Sequence, residues 1–307
     1  MLPEPYVHRC PRVRCEAATD PIGEKSKSWV RESNCRPETL ILRHIIDLMF
    51  TTRPVIRLAL AMAAVLASAA GASPEVMTWN VAGAQRRAIV YAPSSAANAN
   101  TPVVFAFHGF GDTNENFQGV GLEEAWPQAI VVYPQGLPVM RGGSALPGWQ
   151  TEKRGEEDRD LQFVDTALAS LRGKYKVDEA RIYATGFSNG AIFTYLLWAE
   201  RPNVFAAFAA VAGRLGTSVL PAVPKPFLQV GGKNDGNIGF ALQEHAMETA
   251  RRVDGVSKGE SCGRNCTLYP SANGTPVMTF IHQGGHEWPD GTSRQIAKFF
   301  QNHPPAR

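Results

Sequence analysis

The sequence predicts an α/β fold in which a mostly parallel sheet carries helices on both faces. Continuous apolar runs such as residues 102–107 have the length of strands and the composition expected when both sides of a strand are covered. Segments with apolar residues at helical spacing alternate with these runs. At Arg181–Ala191 a strand pattern passes directly into a helical pattern through Gly-x-Ser-x-Gly. Such alternation is typical of a parallel sheet wound on both faces.

The elements before this motif begin with two strands. Val76–Val81 and Arg87–Tyr91 are separated by a short Ala-Gly-Ala turn and predict an antiparallel lead-in. Pro102–Phe107 and Ile130–Tyr133 are apolar throughout and predict buried strands. The stretch from Pro134 to Gly148 is rich in proline and glycine, so we expect a long loop that shapes a binding site.

Amphipathic helices are predicted on either side of the motif. Before it, apolar residues recur at helical spacing, with acidic residues ahead of them and basic residues at their end, as the helix dipole favours. These apolar residues are Leu161, Val164, Leu168, Leu171 and Tyr175. After the motif, a helix that starts at about Asn189 is stopped by Pro202.

The rest of the chain continues the alternation. Strands are predicted at Phe205–Val211, Pro226–Val230 and Pro276–His282. A helix from about Phe240 to Arg252 lies between the last two of these strands, and residues 296–300 mark a closing helix.

The N-terminal part of the chain indicates export. Residues 49–72 combine basic residues, a short apolar core and an Ala-x-Ala exit, the pattern of a signal peptide cleaved near Ala72. A membrane anchor is the alternative, but the apolar core falls short of the roughly 20 residues that span a bilayer. We therefore expect a secreted or periplasmic protein. Residues 1–48 lie upstream of the signal and are interpreted as a non-native or disordered extension, which leaves residues 73–307 as a single α/β domain.

Cysteine and charge content restrict the expected partners. Three of the five cysteines lie in residues 1–48, so Cys262 and Cys266 remain, and an even pair in an exported protein predicts a disulfide. The small loop limits its contribution to roughly 2 kcal/mol. A metal site would need further ligands, and none lies close by in sequence. Without residues 1–72 the chain is formally neutral, so nothing suggests a nucleic-acid or membrane-surface partner.

The Gly-x-Ser-x-Gly motif has the layout of a nucleophile elbow. In such a turn Gly186 and Gly190 let neighbouring backbone approach, while Ser188 projects above the sheet edge. The following helix aims free N–H groups and the positive end of its dipole at the same place. Chance alone would produce this spacing on the order of once in ten chains of this length, so the surrounding strand and helix carry the interpretation.

Three loops that follow predicted strands carry the residues of a catalytic triad. Parallel α/β sheets bind ligands beyond the carboxyl ends of their strands, where Ser188, Asp235 and His286 are expected. Triads on such sheets run Ser, Asp or Glu, then His along the chain. Ser188 is therefore predicted as the nucleophile, His286 as the general base and Asp235 as the acid that orients it. The same order excludes His44 and His108 as the base.

Other histidines and aspartates fit the roles less well, because they fall within helices or strands, follow a helix, or come in the wrong order. They are His245, His282, His303, Asp254 and Asp290. A turn-forming role for Asp235 is the alternative to catalysis.

An oxyanion hole is predicted from two backbone N–H groups. That of Asn189 begins the helix after the nucleophile, and that of Phe110 follows His108-Gly109 at the end of its strand. Each such donor typically contributes about 3 to 4 kcal/mol at the transition state.

Several stretches together resemble the secreted esterase family that includes polyhydroxybutyrate depolymerases and feruloyl or acetylxylan esterases. The matching stretches are His108–Gly111, Tyr175–Asp178, Arg181–Gly190, Phe205–Ala207, Val211–Gly213 and Gly284–Pro289. The resemblance implies an α/β-hydrolase fold and ester hydrolysis without a cofactor or metal. One departure is Gly231-Gly232, where the family usually has His-Gly before its acid.

The leading hypothesis is a secreted serine carboxylester hydrolase that acts on a small-molecule or polysaccharide-linked ester through an acyl-enzyme. The alternatives are a peptidase or acyltransferase with the same triad, and a non-catalytic binding protein on the same scaffold. Trp149, Phe187 and Trp288 either stack on an aromatic acyl group or only pack. We expect short-chain or aromatic soluble esters to be better substrates than solid polyester.

Overall fold

The computed structural model describes residues 74–303, so the predicted extension and signal peptide lie outside the described residues. Its strands, in chain order, are β1 (Pro74–Val81), β2 (Ala84–Tyr91), β3 (Thr101–Phe107), β4 (Ile130–Pro134), β5 (Leu137–Arg141), β6 (Ser144–Gly148), β7 (Val177–Phe187), β8 (Ala207–Val211), β9 (Phe227–Gly232), β10 (Glu260–Gly263), β11 (Cys266–Tyr269) and β12 (Val277–His282).

The α-helices of this part of the chain are α1 (Asn114–Phe117), α2 (Leu122–Ala125), α3 (Arg159–Lys174), α4 (Asn189–Glu200), α5 (Phe240–Val253) and α6 (Thr292–Asn302). Short 3₁₀ turns at Gln118–Val120 and Gly155–Asp158 precede α2 and α3. Within these residues no helix has both the length and the apolar character needed to cross a membrane.

The main sheet confirms the predicted α/β fold class. Its strand order is β1-β2-β4-β3-β7-β8-β9-β12-β11-β10. The central strands from β4 to β12 pair in parallel, while β1, β2, β10 and β11 add antiparallel pairs at the two edges. The predicted antiparallel lead-in is therefore also confirmed. Since all the parallel strands point the same way, the loops at their carboxyl ends meet along one edge.

Both faces of the sheet are covered, which explains why its central strands are apolar throughout. Along β3, successive side chains alternate between the faces. Val103, Phe105 and Phe107 join a core with α3, α4 and α5, whereas Val104 and Ala106 join a second core with α1, α2 and α6. A strand buried on both faces needs this continuous apolar pattern.

The expected loop from Pro134 to Gly148 is instead a β-hairpin, so that prediction was wrong. Strands β5 and β6 pair antiparallel and are joined by Gly142-Gly143, both with positive φ. Two consecutive residues with positive φ form the type of turn whose twist matches a hairpin, and Gly-Gly is a known sequence signal for it. The high proline and glycine content concealed the strands, because Pro138 and Pro147 lie opposite each other in the hairpin.

The predicted elements near the site agree with the structure within a few residues. The strand before the motif begins at Val177 rather than Arg181, and α4 begins at Asn189 and ends before Pro202. Helix α3 ends at Lys174, with Tyr175 already extended. The short helices α1 and α2 were not predicted, because four-residue helices carry too little periodicity to detect.

Candidate active site

Ser188, His286 and Asp235 come together at the carboxyl edge of the sheet. They follow β7, β12 and β9, respectively. The His286 Nε2 and Ser188 Oγ atoms are 2.8 Å apart, and His286 Nδ1 is 2.8 Å from Asp235 Oδ2. With Nδ1–H donating to the carboxylate, Nε2 is the free acceptor for the serine O–H. This is the geometry that abstraction of the serine proton requires.

The backbone at Ser188 is held in a strained conformation by its glycine neighbours. Ser188 has φ +55° and ψ −113°, which non-glycine residues rarely adopt. A Cβ on Gly190 would overlap the backbone of Phe107, and one on Gly186 would overlap the backbone of Gly190. Both positions must therefore be glycine for the turn to close, as the sequence motif indicates.

The environment of Asp235 keeps its carboxylate ionised. Its side chain is fully buried. Burial alone would raise the pKa of Asp235, but the hydrogen bond from His286 and those from the backbone N–H groups of Ile238 and Asn237 outweigh it and lower the pKa. Both backbone donors lie 2.8 Å from Oδ1. An ionised carboxylate in this place fixes the tautomer of His286 and stabilises its protonated form.

Two backbone N–H groups beside Ser188 are available to a ligand. Those of Asn189 and Phe110 donate to no acceptor within residues 74–303. A Cβ placed on Gly109 would lie 3.6 Å from Ser188 Cβ, so the loop that carries Phe110 packs directly against the serine. Free N–H groups at this position suit a developing oxyanion.

His108, which sequence order excluded as the base, is fully buried and bonded to the loop that carries Phe110. Its Nδ1–H donates to the Gly109 carbonyl oxygen at 2.7 Å, and the Gly136 N–H donates to its Nε2 at 2.9 Å. Burial lowers the pKa of His108, which favours this neutral form. Both ring nitrogens are therefore engaged by backbone groups, and the ring holds the Gly109–Phe110 peptide. Sequence reasoning had not assigned this role.

Within residues 74–303, none of the less favoured candidates hydrogen-bonds to Ser188 Oγ, whose partner is His286. His245 is exposed on α5, His282 pairs with Glu287 at 3.5 Å, and His303 bonds the Phe299 carbonyl oxygen. Asp254 is buried at the end of α5, where it accepts from the Lys225 N–H, and Asp290 lines a cleft. Among the described residues, His, Cys, Asp and Glu side chains form no group of three that could hold a metal ion.

A cleft of about 770 Å³ is lined by residues that adjoin the triad in sequence, among them Phe187 and Trp288, although no triad residue itself lines it. Its walls come from residues 112–125 and 288–294, together with Phe187. The Phe187 ring lies 4.9 Å from the ring of His286, and Trp288 packs edge-on against Phe117. The cleft therefore has an aromatic surface, and Phe187 joins that surface to the ring of His286.

Trp149 does not contribute to this aromatic surface. It is 1% exposed, packs against Phe107 and Phe193, and donates from Nε1 to the His108 carbonyl oxygen. Of the three aromatic residues considered from sequence, Phe187 and Trp288 line the cleft and Trp149 packs in the core. Residues 112–125 line the cleft and were missed by sequence reasoning. The 134–148 segment does not line this cleft but packs against the loop that carries Phe110, since the Gly111 N–H donates to the Pro147 carbonyl oxygen at 2.7 Å.

Two polar side chains near the site were also not anticipated. The side chain of Asn189 bonds the backbone of Trp149, and Gln243 on α5 donates to Asp235. Asn189 lies within the Gly-x-Ser-x-Gly motif, but the motif does not specify its side chain. Gln243 lies in no recognisable motif.

Comparisons with known proteins agree on one family. Residues 80–301 match the family described as "Putative esterase". The bifunctional acetylxylan esterase/xylanase XynS20E of Neocallimastix patriciarum is 30% identical over 177 residues, or 55% of this chain and 24% of the relative. Poly(3-hydroxyalkanoate) depolymerase C of Paucimonas lemoignei is 27% identical over 239 residues, or 64% of this chain and 57% of the relative. The chain thus spans about a quarter and somewhat more than half of their lengths.

Solved structures show the same fold. The acetyl xylan esterase from Aspergillus awamori superimposes with a TM-score of 0.57 at 17% identity, covering 75% of this chain and 99% of the other. At this identity the likeness concerns the fold alone.

Proposed function

Because the chain belongs to the Esterase family, we propose that it is a serine carboxylester hydrolase in which Ser188 is the nucleophile, His286 the general base and Asp235 the orienting acid. The observation that supports this most directly is the continuous pair of 2.8 Å contacts from Ser188 through His286 to Asp235. A binding protein would have no need of a strained serine in contact with a buried histidine–carboxylate pair.

The proposed reaction proceeds in two halves. Ser188 Oγ attacks the ester carbonyl carbon while its proton passes to His286 Nε2, and the carbonyl oxygen becomes an oxyanion held by the Asn189 and Phe110 N–H groups. The intermediate collapses to an acyl-serine, and the protonated His286 returns the proton to the leaving alcohol. A water then attacks the acyl-serine with His286 again as base, which releases the acid and restores Ser188.

We further propose that the substrates are soluble short-chain or aromatic esters, including acyl groups on polysaccharide fragments. The cleft supports this, because Phe187 and Trp288 offer aromatic surface while Asp112, Asn116 and Arg294 offer polar groups. Aromatic faces beside hydrogen-bonding side chains suit a ligand with an apolar and a hydroxylated part. Relatives named as acetylxylan esterase and feruloyl esterase are compatible with this choice.

The location and the disulfide are proposed together. The signal-like segment at residues 49–72 supports a secreted or periplasmic protein. In the hairpin of β10 and β11 the Cα atoms of Cys262 and Cys266 are 5.1 Å apart, which is within the range of disulfides. An oxidising compartment would keep this pair bonded.

The deciding experiment compares the purified wild-type protein with Ser188→Ala, using a fluorophosphonate probe and p-nitrophenyl acetate. We expect the variant not to be labelled by the probe. Its kcat should fall by at least about 10³-fold, because triad residues act as a unit. Ser218→Ala is the matched control, since Ser218 is exposed and its hydroxyl donates to Glu152 at 3.4 Å. Full hydrolysis by Ser188→Ala, with the fold intact by circular dichroism, would refute the proposal.

Substrate choice needs a separate measurement. We expect higher kcat/KM for methyl ferulate or an acetylated sugar than for hydroxybutyrate oligomers, and slow clearing of a polyhydroxybutyrate suspension. Rapid clearing with negligible turnover of the other two esters would contradict the substrate proposal without affecting the triad.

A further inference from the structure

Asp235 receives a second side-chain donor on the same oxygen that bonds the histidine. Gln243 Nε2 lies 2.9 Å from Asp235 Oδ2, which also accepts from His286 Nδ1 at 2.8 Å. Gln243 is in α5 and its side chain is fully buried. The carboxylate is thus held by two backbone donors on Oδ1 and by His286 and Gln243 on Oδ2.

The orientation of the Gln243 amide follows from its neighbours. Its Nε2 also donates to the Ile238 carbonyl oxygen at 2.7 Å. Because a carboxylate and a carbonyl oxygen are both acceptors, only the NH₂ end of the amide fits there. The opposite end, Oε1, is buried without a hydrogen-bond partner among the described residues. A buried acceptor without a hydrogen bond lowers stability. The amide nevertheless adopts the orientation in which Nε2 donates to Asp235 and Ile238 and Oε1 has no partner among the described residues.

Gly231 provides the space that this arrangement needs. A Cβ on Gly231 would lie 2.9 Å from Gln243 Oε1 and 2.8 Å from Met247 Cε, so a side chain at 231 would crowd both the amide and the methionine methyl group. The position of the Gln243 amide therefore depends on the absence of a side chain at residue 231.

We propose that Gln243 is a positioning residue that fixes the carboxylate of Asp235 for His286, with Gly231 as the residue that admits it. The inference rests on the proposed function. The hydrogen bond from Gln243 Nε2 stabilises the negative charge on Asp235 Oδ2 and restrains rotation of the carboxylate. When this donor is lost, the charge on Oδ2 interacts more strongly with the protonated histidine, so the active, neutral form of the histidine prevails only at higher pH.

Few other charges lie near this carboxylate. On the β12 side, His282 and Glu287 pair with each other at 3.5 Å. On α5, Glu244, His245, Glu248 and Arg252 are exposed, on positions other than the buried face that carries Gln243. Lys233, before Asp235 on its own loop, is also exposed. A pH effect of substitutions at 243 is therefore expected to act through Asp235 and His286.

The test uses Gln243→Leu, which removes the donor, and Gln243→Glu, which replaces it with an acceptor. The concentration of competent sites is measured by fluorophosphonate titration, so that misfolded protein does not enter kcat. For Gln243→Leu we expect kcat per site to fall about tenfold, because the loss of one hydrogen bond raises the activation free energy. KM should change little. The acid limb of the rate–pH profile should move upward by about half a unit or more, and further for Gln243→Glu.

Gly231→Ala perturbs the same amide without removing it and should give a smaller loss with the same direction of pH shift. Met247→Leu is the matched control on the same helix, and its profile should match the wild type. Unchanged per-site kcat and an unshifted acid limb in both Gln243 variants would overturn the inference, because a merely structural residue changes only the number of competent sites.

The inference is separable from the proposed function. If the wild type hydrolyses esters and the Gln243 variants behave identically, only the inference fails. If the wild type is inactive, the proposed function fails, and the inference is then decided by NMR titration of the His286 ring. An upward displacement of this titration in Gln243→Leu supports positioning, and coincident curves refute it.

Discussion

Asn189 and Trp149 are joined by two reciprocal hydrogen bonds. The Trp149 N–H donates to Asn189 Oδ1 at 2.7 Å, and Asn189 Nδ2 donates to the Trp149 carbonyl oxygen at 3.0 Å. The residue directly after the nucleophile therefore clamps the end of the β5–β6 hairpin to the start of α4. A Cβ on Gly148 would lie 2.8 Å from the same Oδ1, so the clamp also requires a bare backbone at that position.

Removal of this clamp should lower both stability and activity. Asn189→Ala leaves the buried Trp149 N–H and carbonyl groups without partners, so we expect a loss of about 2 kcal/mol in the free energy of unfolding. Activity should also fall, because the Asn189 N–H loses its fixed position. Urea unfolding and ester kinetics measure the two effects. Asn98→Ala, at an exposed asparagine, is the control, and equal stability of the two variants would contradict the prediction.

The rate of ester hydrolysis should fall as the pH is lowered. His286 must be neutral to accept the Ser188 proton, so activity is lost as the pH falls. His286→Ala should abolish the reaction, whereas the exposed His245→Ala should keep both the rate and the profile. A rate that is flat from about pH 5 to 8 with chemistry limiting would remove His286 from the role of base.

Asp254 should make the protein less stable as the pH rises. Burial raises the pKa of Asp254 to about 8 from an ordinary value of 3.8. Between these values the folded protein holds a proton that the unfolded chain releases. The contribution to stability is therefore complete below about pH 4 and is lost as the pH approaches 8, by at most about 1.4 kcal/mol per pH unit.

Asp254→Asn removes this titration and retains an acceptor for the Lys225 N–H, which lies 2.7 Å from Asp254 Oδ1. The variant should gain stability relative to the wild type from pH 5 to 8, as measured by urea unfolding at several pH values. A difference between the two proteins that does not change with pH would show that Asp254 is ionised in the folded state.

Trp288 should contribute to binding more than to chemistry. Its ring lines the cleft, packs against Phe117 and donates from Nε1 to Ser293 Oγ. For an aromatic ester we expect Trp288→Ala to raise KM by about tenfold, the equivalent of 1.4 kcal/mol of binding, with a much smaller change in kcat. Trp288→Phe keeps an aromatic face and should retain most of the affinity. Equal KM values for all three proteins would exclude the ring from the binding surface.

The Cys262–Cys266 pair should be oxidised in exported protein. Intact mass should then increase by two hydrogens on reduction. Cys262→Ser should reduce the free energy of unfolding by roughly 2 kcal/mol, since the closed loop is short. Two free thiols in the exported protein would contradict the proposed pairing.

The sequence was sufficient for the fold class and for the three loops that meet at the site. Each of these loops follows a strongly apolar strand, and parallel strands bring their carboxyl ends together whatever the details of packing. The nucleophile turn was equally visible, because its glycines are required locally. A Cβ at Gly190 would overlap the backbone of Phe107, and a Cβ at Gly186 would overlap the backbone of Gly190. Export and cleavage of residues 49–72 stay predictions.

The remaining features depend on contacts that no local pattern encodes. The hairpin from Leu137 to Gly148 was concealed by its prolines. Residues 112–125 form one wall of the cleft through helices too short to detect. Gln243 lies in an ordinary amphipathic helix. Its role depends on how α5 packs against β9, which places one turn of the helix beside Asp235.

One wall of the cleft comes from a segment that is distant in sequence from the nucleophile, and this has a consequence for specificity. Residues 112–125 line the cleft, whereas Ser188 and Asp235 come from other strand ends. Insertions or replacements in that segment can change which acyl or alcohol group is accepted while the proton-transfer geometry is inherited intact. A change of specificity on this scaffold therefore requires replacement of one surface segment and leaves the strand ends that carry the triad in place.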